Sequence, residues 1–221
     1  MDTGEKREKI GVYGGTFNPI HNGHLRLAAA WADHLGLDRL LLIPTNIPPH
    51  KRAPALAPGR DRLEMCRLAG QLLHSRTGVP VEVSDMELRR EGPSYTVDTL
   101  TELHRQIEAE GRRGELYLIM GGDMLLTLDR WRAPREIGRL AVICGSARQR
   151  EEYRLLERQA QVLEEMGIPT RLLQLEVLEL SSTQLRRRAE EGGSLAGLVP
   201  EPVAAYIARR GLYRSAGAPL P

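Results

Sequence analysis

Aromatic side chains, cysteines and long apolar runs are all scarce in this sequence, and each shortage narrows what the chain can be. One Phe and two Trp stand against a hydrophobic content of 41%, which is enough for a core but makes that core aliphatic. The two cysteines, Cys66 and Cys144, form no C-x-x-C pair. Cys66 falls in a helical pattern and Cys144 ends an apolar run, so both read as small buried hydrophobes rather than as a disulfide or a reactive thiol. Such usage fits a reduced, cytoplasmic protein. No apolar run approaches the length of a membrane span. Residues 1–9 carry both signs of charge and no hydrophobic segment, which argues against a secretory signal. Charge of one sign is also lacking. The net charge is +2 with the signs interspersed, so bulk electrostatics do not point to nucleic acid, and there is no aromatic platform for stacking bases.

What is present is an alternation. Strand-like runs occupy residues 10–14, 40–44, 79–84, 115–120, 140–144 and 171–175. Helical patterns lie near 23–35, 58–74, 95–110, 134–138, 150–166, 181–191 and 201–210. Alternation at this spacing predicts an α/β fold, a Rossmann-like, doubly wound and mostly parallel sheet with helices on both faces. From residue 181 to 213 the pattern is helical only, which suggests a small C-terminal helical lobe closing one side of the crevice. The expected division is therefore a tail at 1–9, a nucleotide-binding domain at 10–180, the lobe at 181–213 and a second tail from 214. Ligands in such a sheet sit beyond the carboxyl ends of the strands. Gly14-Gly15, Pro44-Thr45-Asn46 and Gly121-Gly122-Asp123 each follow a strand and can converge there.

Residues 14–24 carry the sharpest signal: Gly14-Gly15-Thr16-Phe17-Asn18-Pro19-Ile20-His21-Asn22-Gly23-His24. Two glycines allow close backbone approach to a ligand. Two histidines three residues apart share a face at a helix start, beside its unpaired N–H groups and the positive end of its dipole. Together they read as a phosphate site with imidazole donors. A plainer reading has the glycines making a turn and His21 and His24 capping the helix. The segment is neither a Walker loop, since no Gly-Lys-Ser/Thr follows, nor G-x-G-x-x-G.

Four further segments carry chemistry. Pro48-Pro49-His50-Lys51 follows the second strand and presents a lysine at the end of a stiffened loop. Ser94-Tyr95-Thr96-Val97-Asp98-Thr99 opens a helix with Ser94 or Thr96 as candidate N-cap; with no Lys or Arg in the motif, its bare N–H groups would favour a ligand carboxylate. Gly121-Gly122-Asp123 puts a carboxylate just past a strand, placed for a ribose, a metal or a helix cap. Trp131 offers either a stacking surface or a core residue. Ser181-Ser182-Thr183 with Arg186 one turn on forms a hydroxyl and guanidinium clamp for an oxyanion, while Arg187 and Arg188 read as a solvated face.

The stretch from Gly14 to His24 resembles the T/H-x-G-H signature of the nucleotidylyltransferases. With Pro48–Lys51, Ser94–Thr99, Gly121–Asp123, Trp131, Ser181–Arg186 and the ending from Val199 to Tyr213, the chain resembles the bacterial nicotinate-mononucleotide adenylyltransferases from about residue 9 to 213. That resemblance implies transfer of AMP from ATP to nicotinate mononucleotide, giving deamido-NAD and pyrophosphate. It implies ATP contacts at Gly14, Gly15, Thr16 and Phe17, at His21 and His24, at Gly121 and Asp123 for the ribose, and at Ser181, Ser182 and Thr183. His24 would lie closest to the α-phosphate, and Lys51 and Arg186 would gather the β and γ charges. Tyr95, Thr96 and Trp131 would frame the nicotinate, with Gly15, Thr16, Asn46 and Lys51 also on the mononucleotide. The implied cofactor is Mg2+ carried mainly with ATP; the implied partners are the two nucleotides, not nucleic acid or membrane, with room for a homo-oligomer.

Two positions depart from that family. Asn18 stands where it usually has Asp, which weakens position 18 as a source of carboxylate for magnesium. Gly145-Ser146-Ala147-Arg148 is unlike the family's arginine-bearing loop and leaves Arg148 unassigned. A pantetheine-phosphate type of transferase would lack the Pro-Pro-His-Lys and Ser-Tyr-Thr-Val-Asp-Thr segments. A non-catalytic nucleotide-binding module would be signalled by loss of His24 or Lys51, and both are present.

Overall fold

A strand covered by helices on both faces must be apolar at nearly every position, and the runs found here meet that demand. The computed structural model describes residues 7–49, 56–175 and 180–214. Its strands are β1 (Glu8–Gly15), β2 (Arg39–Pro44), β3 (Val81–Val83), β4 (Gly114–Gly121), β5 (Ala141–Ala147) and β6 (Thr170–Gln174). The helices are α1 (Asn22–Leu35), α2 (Gly59–Thr77), α3 (Met86–Arg89), α4 (Thr96–Ala109), α5 (Gly122–Leu125), α6 (Pro134–Leu140), α7 (Arg150–Glu165), α8 (Ser182–Glu190) and α9 (Glu201–Arg210). The six strands pair side by side in the order β3-β2-β1-β4-β5-β6, all parallel.

Successive strand residues serve opposite faces. Leu40 and Leu42 of β2 and Ile119 of β4 join Trp31 of α1 and Cys66 of α2 in one core. Leu41 and Ile43 join Leu116 and Leu118, Leu100 of α4 and Leu163 of α7 in the other. Each fully buried aliphatic side chain contributes about 1.5–3 kcal/mol relative to exposure. Trp31, wholly buried, also donates from Nε1 to Ser146 Oγ at 2.7 Å, so its one polar atom is satisfied. Both cysteines are buried and free. Burial pushes the Cys144 thiol up to about 12 and raises that of Cys66 as well, as suits packing residues.

Order reverses between β1 and β4: from β1 the chain winds outward to β2 and β3, from β4 outward to β5 and β6. The loops leaving these neighbours part at their carboxyl ends, and a crevice opens there. Three differences from the sequence reading concern element bounds and short pieces. Strand β1 begins at Glu8, because its N–H reaches Arg113 O at 3.0 Å. The edge strand β3 keeps only three residues of the expected six. Helices α3 and α5 and a 3-10 turn at Leu128–Arg130 were not expected; pieces of three or four residues show no periodicity. The C-terminal helices share the core of α1: Leu185, Val203 and Ile207 lie in the same cluster as Trp31. Buried Asp61 of α2 accepts from Tyr206 Oη at 2.8 Å and Arg210 Nε at 3.2 Å, fastening α9.

Candidate active site

At the carboxyl ends of β1 and β4 lies a cavity of about 410 Å³. It is lined by the end of β1 and the turn that follows. Gly14 is exposed there, and a Cβ built on it would meet no atom within 4 Å, so glycine keeps the cavity clear rather than relieving a clash. Phe17 is buried with φ of 45°, a left-handed conformation that costs about 1–3 kcal/mol for a residue with a side chain. Its ring stands edge-on to Tyr13 and to His24, with centroids 5.4 and 5.2 Å away, and so wedges the turn against the start of α1.

His21 is the N-cap of α1 and His24 its third residue, and each caps through the other. His24 N donates to His21 Nδ1 at 3.4 Å, and His21 N donates to His24 Nδ1 at 3.1 Å. The rings stack at 3.6 Å, 24° from parallel. A Cβ on Gly23 would fall 3.0 Å from the His21 ring, which is why a glycine separates them. Capping and cavity-lining are therefore one arrangement, since both rings also face the cavity. Burial, with help from the Arg148 charge, lowers His21 to about 4; burial, His21 and Arg148 hold His24 well below its ordinary value. Both rings are neutral at pH 7.

A second helix start faces the first. Ser181 caps α8 by accepting from Gln184 N at 3.2 Å, and Ser182 Oγ donates to Pro19 O at 2.9 Å. Arg186 follows one turn on; its guanidinium donates to Thr183 Oγ1 at 3.2 Å and to Asn18 O at 2.9 Å. Arg148, unassigned from sequence, reaches the same cavity. Asn18 is buried, and its Oδ1 accepts from Ala57 N at 3.1 Å and Tyr213 Oη at 2.9 Å, so that oxygen is used in holding the loop. Asn22 likewise works structurally: its N and Nδ2 donate to Leu198 O and Gly197 O at 3.0 and 2.9 Å.

Arg62 shapes the site without lining it. Its buried guanidinium donates to Ala57 O at 3.1 Å, Thr16 O at 2.9 Å and Thr45 O at 2.6 Å, tying together the turns after β1 and β2. Burial disfavours its charge and lowers its pKa from the ordinary arginine value, and the hydrogen-bonded carbonyls compensate. The sequence carried a signal for it: Arg62 falls in phase with Met65, Cys66, Ala69 and Leu73, the buried stripe of α2.

The far end of the cavity is built on α4. Its N-cap is Tyr95, with no side-chain cap, not Ser94 or Thr96 as the sequence suggested. Ser94 Oγ instead accepts from Asn46 N at 3.1 Å. Tyr95, Thr96 and Trp131 all line the wall, with Trp131 held by its Nε1 donating to Thr127 Oγ1 at 3.2 Å. Arg132 adds a cation that the sequence motif lacks: it lies 4.6 Å from the Tyr95 ring centre and 3.5 Å from Asp98. Next to that wall, Thr99 Oγ1 donates to Glu87, a buried residue that also lines the cavity, at 2.7 Å and accepts from Arg90 at 3.1 Å. Only pairing in space reveals these residues, since neither Arg90 nor Arg132 stands in the motif it serves.

Gly121 and Asp123 line the cavity beside β4, with Gly121, not Asp123, capping α5. Of the residues singled out in the sequence, Gly15, Thr16, Ser181, Ser182 and Thr183 also reach the wall. Asn46 does not line it; its Nδ2 donates to Arg90 O at 3.0 Å, making it a strut between loops. Lys51 and His50 lie outside the described residues, although Pro48 and Pro49, which lead to them, border the cavity.

Known proteins share this chain's sequence and its fold. The cytidylyltransferase-like family model matches residues 12–188. A Desulfatibacillum aliphaticivorans protein named "probable nicotinate-nucleotide adenylyltransferase" is 37% identical over 225 residues, covering 93% of this chain and 99% of its own. A Dehalococcoides mccartyi protein of the same name is 38% identical over 93% of this chain and 97% of its own. In fold, the chain is similar to Plasmodium falciparum nicotinic acid mononucleotide adenylyltransferase complexed with NaAD. That likeness has a TM-score of 0.71 at 15% identity and covers 94% of this chain and 98% of the other. The family model spans most of the chain and full-length relatives exceed a third identity, so the chain belongs to the cytidylyltransferase-like family and, within it, to the nicotinate-nucleotide adenylyltransferases.

Proposed function

We propose that this cavity transfers AMP from ATP to nicotinate mononucleotide, releasing pyrophosphate and deamido-NAD. The observation that carries the reading is one cavity with two unlike ends. One end has the starts of α1 and α8, the histidine pair, Arg148 and Arg186; the other has the uncapped start of α4 beside Trp131 and Arg132. The first suits a polyphosphate and the second a flat ring bearing a carboxylate. A phosphate oxygen of the mononucleotide attacks the α-phosphorus of ATP; the bond to the β-phosphate oxygen breaks, and pyrophosphate leaves with the electron pair. The attacking oxygen is already anionic near pH 7, so no side chain need be nucleophile or base. The protein's work is in-line positioning and cover for the developing charge. His21 and His24 would direct donors at the α-phosphate, Arg186 and the α8 start would hold the leaving phosphates, and Gly121 with Asp123 would take the adenosine ribose. Lys51, outside the described residues, would add charge to the outer phosphates.

Magnesium fits this chain as a passenger on ATP. The Oδ1 of Asn18, at the position where a carboxylate would be expected, is already engaged twice, by Ala57 N and Tyr213 Oη. Bound with ATP, the ion would supply charge neutralisation on the phosphates. Buried thiols accord with a reducing cytoplasm, and among the described residues no helix is long and apolar enough to cross a membrane. Pyrophosphate release from Mg·ATP, measured with nicotinate mononucleotide, nicotinamide mononucleotide and pantetheine phosphate in turn, tests the reading. Release with the first, at least about tenfold above the other two in kcat/KM, supports it; release with pantetheine phosphate alone, or with none, overturns it.

A further inference from the structure

We infer that His21 and His24 act as a matched pair of neutral hydrogen-bond donors, each ring fixed by the backbone in the tautomer that carries its proton on Nε2. The identity of their acceptor rests on the adenylyl-transfer reading; the tautomer does not. A main-chain N–H can only donate. Because His21 N points at His24 Nδ1 and His24 N at His21 Nδ1, both Nδ1 atoms must be acceptors without a proton. A neutral ring of that kind bears its proton on Nε2. The two rings, stacked at 3.6 Å, thus carry the same tautomer on the cavity wall.

Protonating either ring would set an Nδ1–H against a backbone N–H and break one of the bonds that start α1. Protonating both would place like charges 3.6 Å apart. The surroundings weigh the same way. Tyr13 of β1 stands 6.1 Å from the His24 ring; Arg148 from the loop after β5, Arg186 from α8 and Arg132 line the cavity, as do two carboxylates, Asp123 of α5 and Glu87 of α3. Burial and Arg148 keep both rings far below the ordinary imidazole value. The pair therefore supplies direction and no charge. Neutralisation of the triphosphate falls to the arginines, the helix starts, Lys51 and magnesium.

The test is a two-bond 1H–15N correlation of the protein labelled at its histidine ring nitrogens, alone and with a non-hydrolysable Mg·ATP analogue, at pH 7 and pH 6. Both rings should show a protonated Nε2 and an unprotonated Nδ1 in every sample. A protonated Nδ1 on either ring overturns the inference, whatever reaction the protein catalyses. In parallel, kcat/KM for ATP should vary by less than about twofold between pH 6.5 and 8.5, above the second ionisation of the mononucleotide phosphate near 6. A loss approaching tenfold per pH unit across that range would mean that an imidazolium is required, and would also sink the proposal. A protein with the expected spectrum but no adenylyltransferase activity would refute the functional reading and leave the tautomers standing.

Discussion

At the scale of single residues, the cavity separates side chains that the fold needs from those that only the reaction would need. Gly14 belongs to the second group, because it lines the cavity and a Cβ there would meet no atom within 4 Å beyond its chain neighbours. Gly14→Ala should therefore leave the melting temperature within about 1–2 °C of wild type and lower kcat/KM by tenfold or more, read by calorimetry and pyrophosphate release. A loss of stability without loss of activity would contradict it. His24→Ala spans both groups. It removes an oriented donor, on the order of a hundredfold in turnover, and the acceptor for His21 N, about 1 kcal/mol of helix capping. Near-normal turnover in a folded variant would remove His24 from the mechanism. The histidines were legible from sequence because residue type, spacing and helix position coincide in one turn. Arg62 was less so: its three carbonyl partners come from three separate turns, and no local pattern announces them.

Whole elements were legible where they were long. The seven helical patterns and six apolar runs found in the sequence each hold an element of the structure, although the run at 79–84 keeps only the three residues of β3, none of them fully buried. The short pieces α3 and α5 were not legible, and with α3 went Glu87 and the Thr99–Arg90 bonds that brace α4. At α4 the expected cap proved to be a loop contact, which leaves the first-turn N–H groups free of side-chain partners and bears on substrate choice. Donor groups and a positive dipole end favour nicotinate over nicotinamide, whose own N–H₂ would face donors. Arg132 adds a charge, paired with Asp98 at 3.5 Å and exposed to solvent. Arg132→Ala should lower kcat/KM for the acid about three- to tenfold with little change for the amide, while Trp131→Ala should weaken both alike. If Arg132→Ala leaves the ratio of the two substrates unchanged, selection rests on the backbone alone.

At the scale of the molecule, the strand order decides where the site must lie, and sequence alternation predicted a parallel sheet without fixing that order. Pairing of β1 with β4 brings together residues more than a hundred positions apart, and the start of α8 is joined to the turn before α1 by the bond from Ser182 Oγ to Pro19 O. The histidine pair sits at this junction, so its protonation should be felt by the whole fold. His21 titrates near 4 when folded and near 6.5 when unfolded. Between those values the unfolded chain takes up a proton that the folded chain refuses, so stability is full above about 6.5 and declines as pH falls toward 4. His24, lowered further still, acts in the same direction. Most carboxylates remain ionised down to about pH 5, so the interval from 6.5 to 5 isolates the imidazoles. Over it, the urea midpoint of the ligand-free protein should fall by an amount equivalent to about 1–3 kcal/mol. His21→Asn can keep a cap acceptor at the start of α1 without a titrating ring, and should flatten that decline even if it lowers stability at pH 7.5. A wild-type midpoint that is the same at pH 7.5 and pH 5 would show that the two rings do not resist protonation, and the buried pair would then have to be charged in the folded protein.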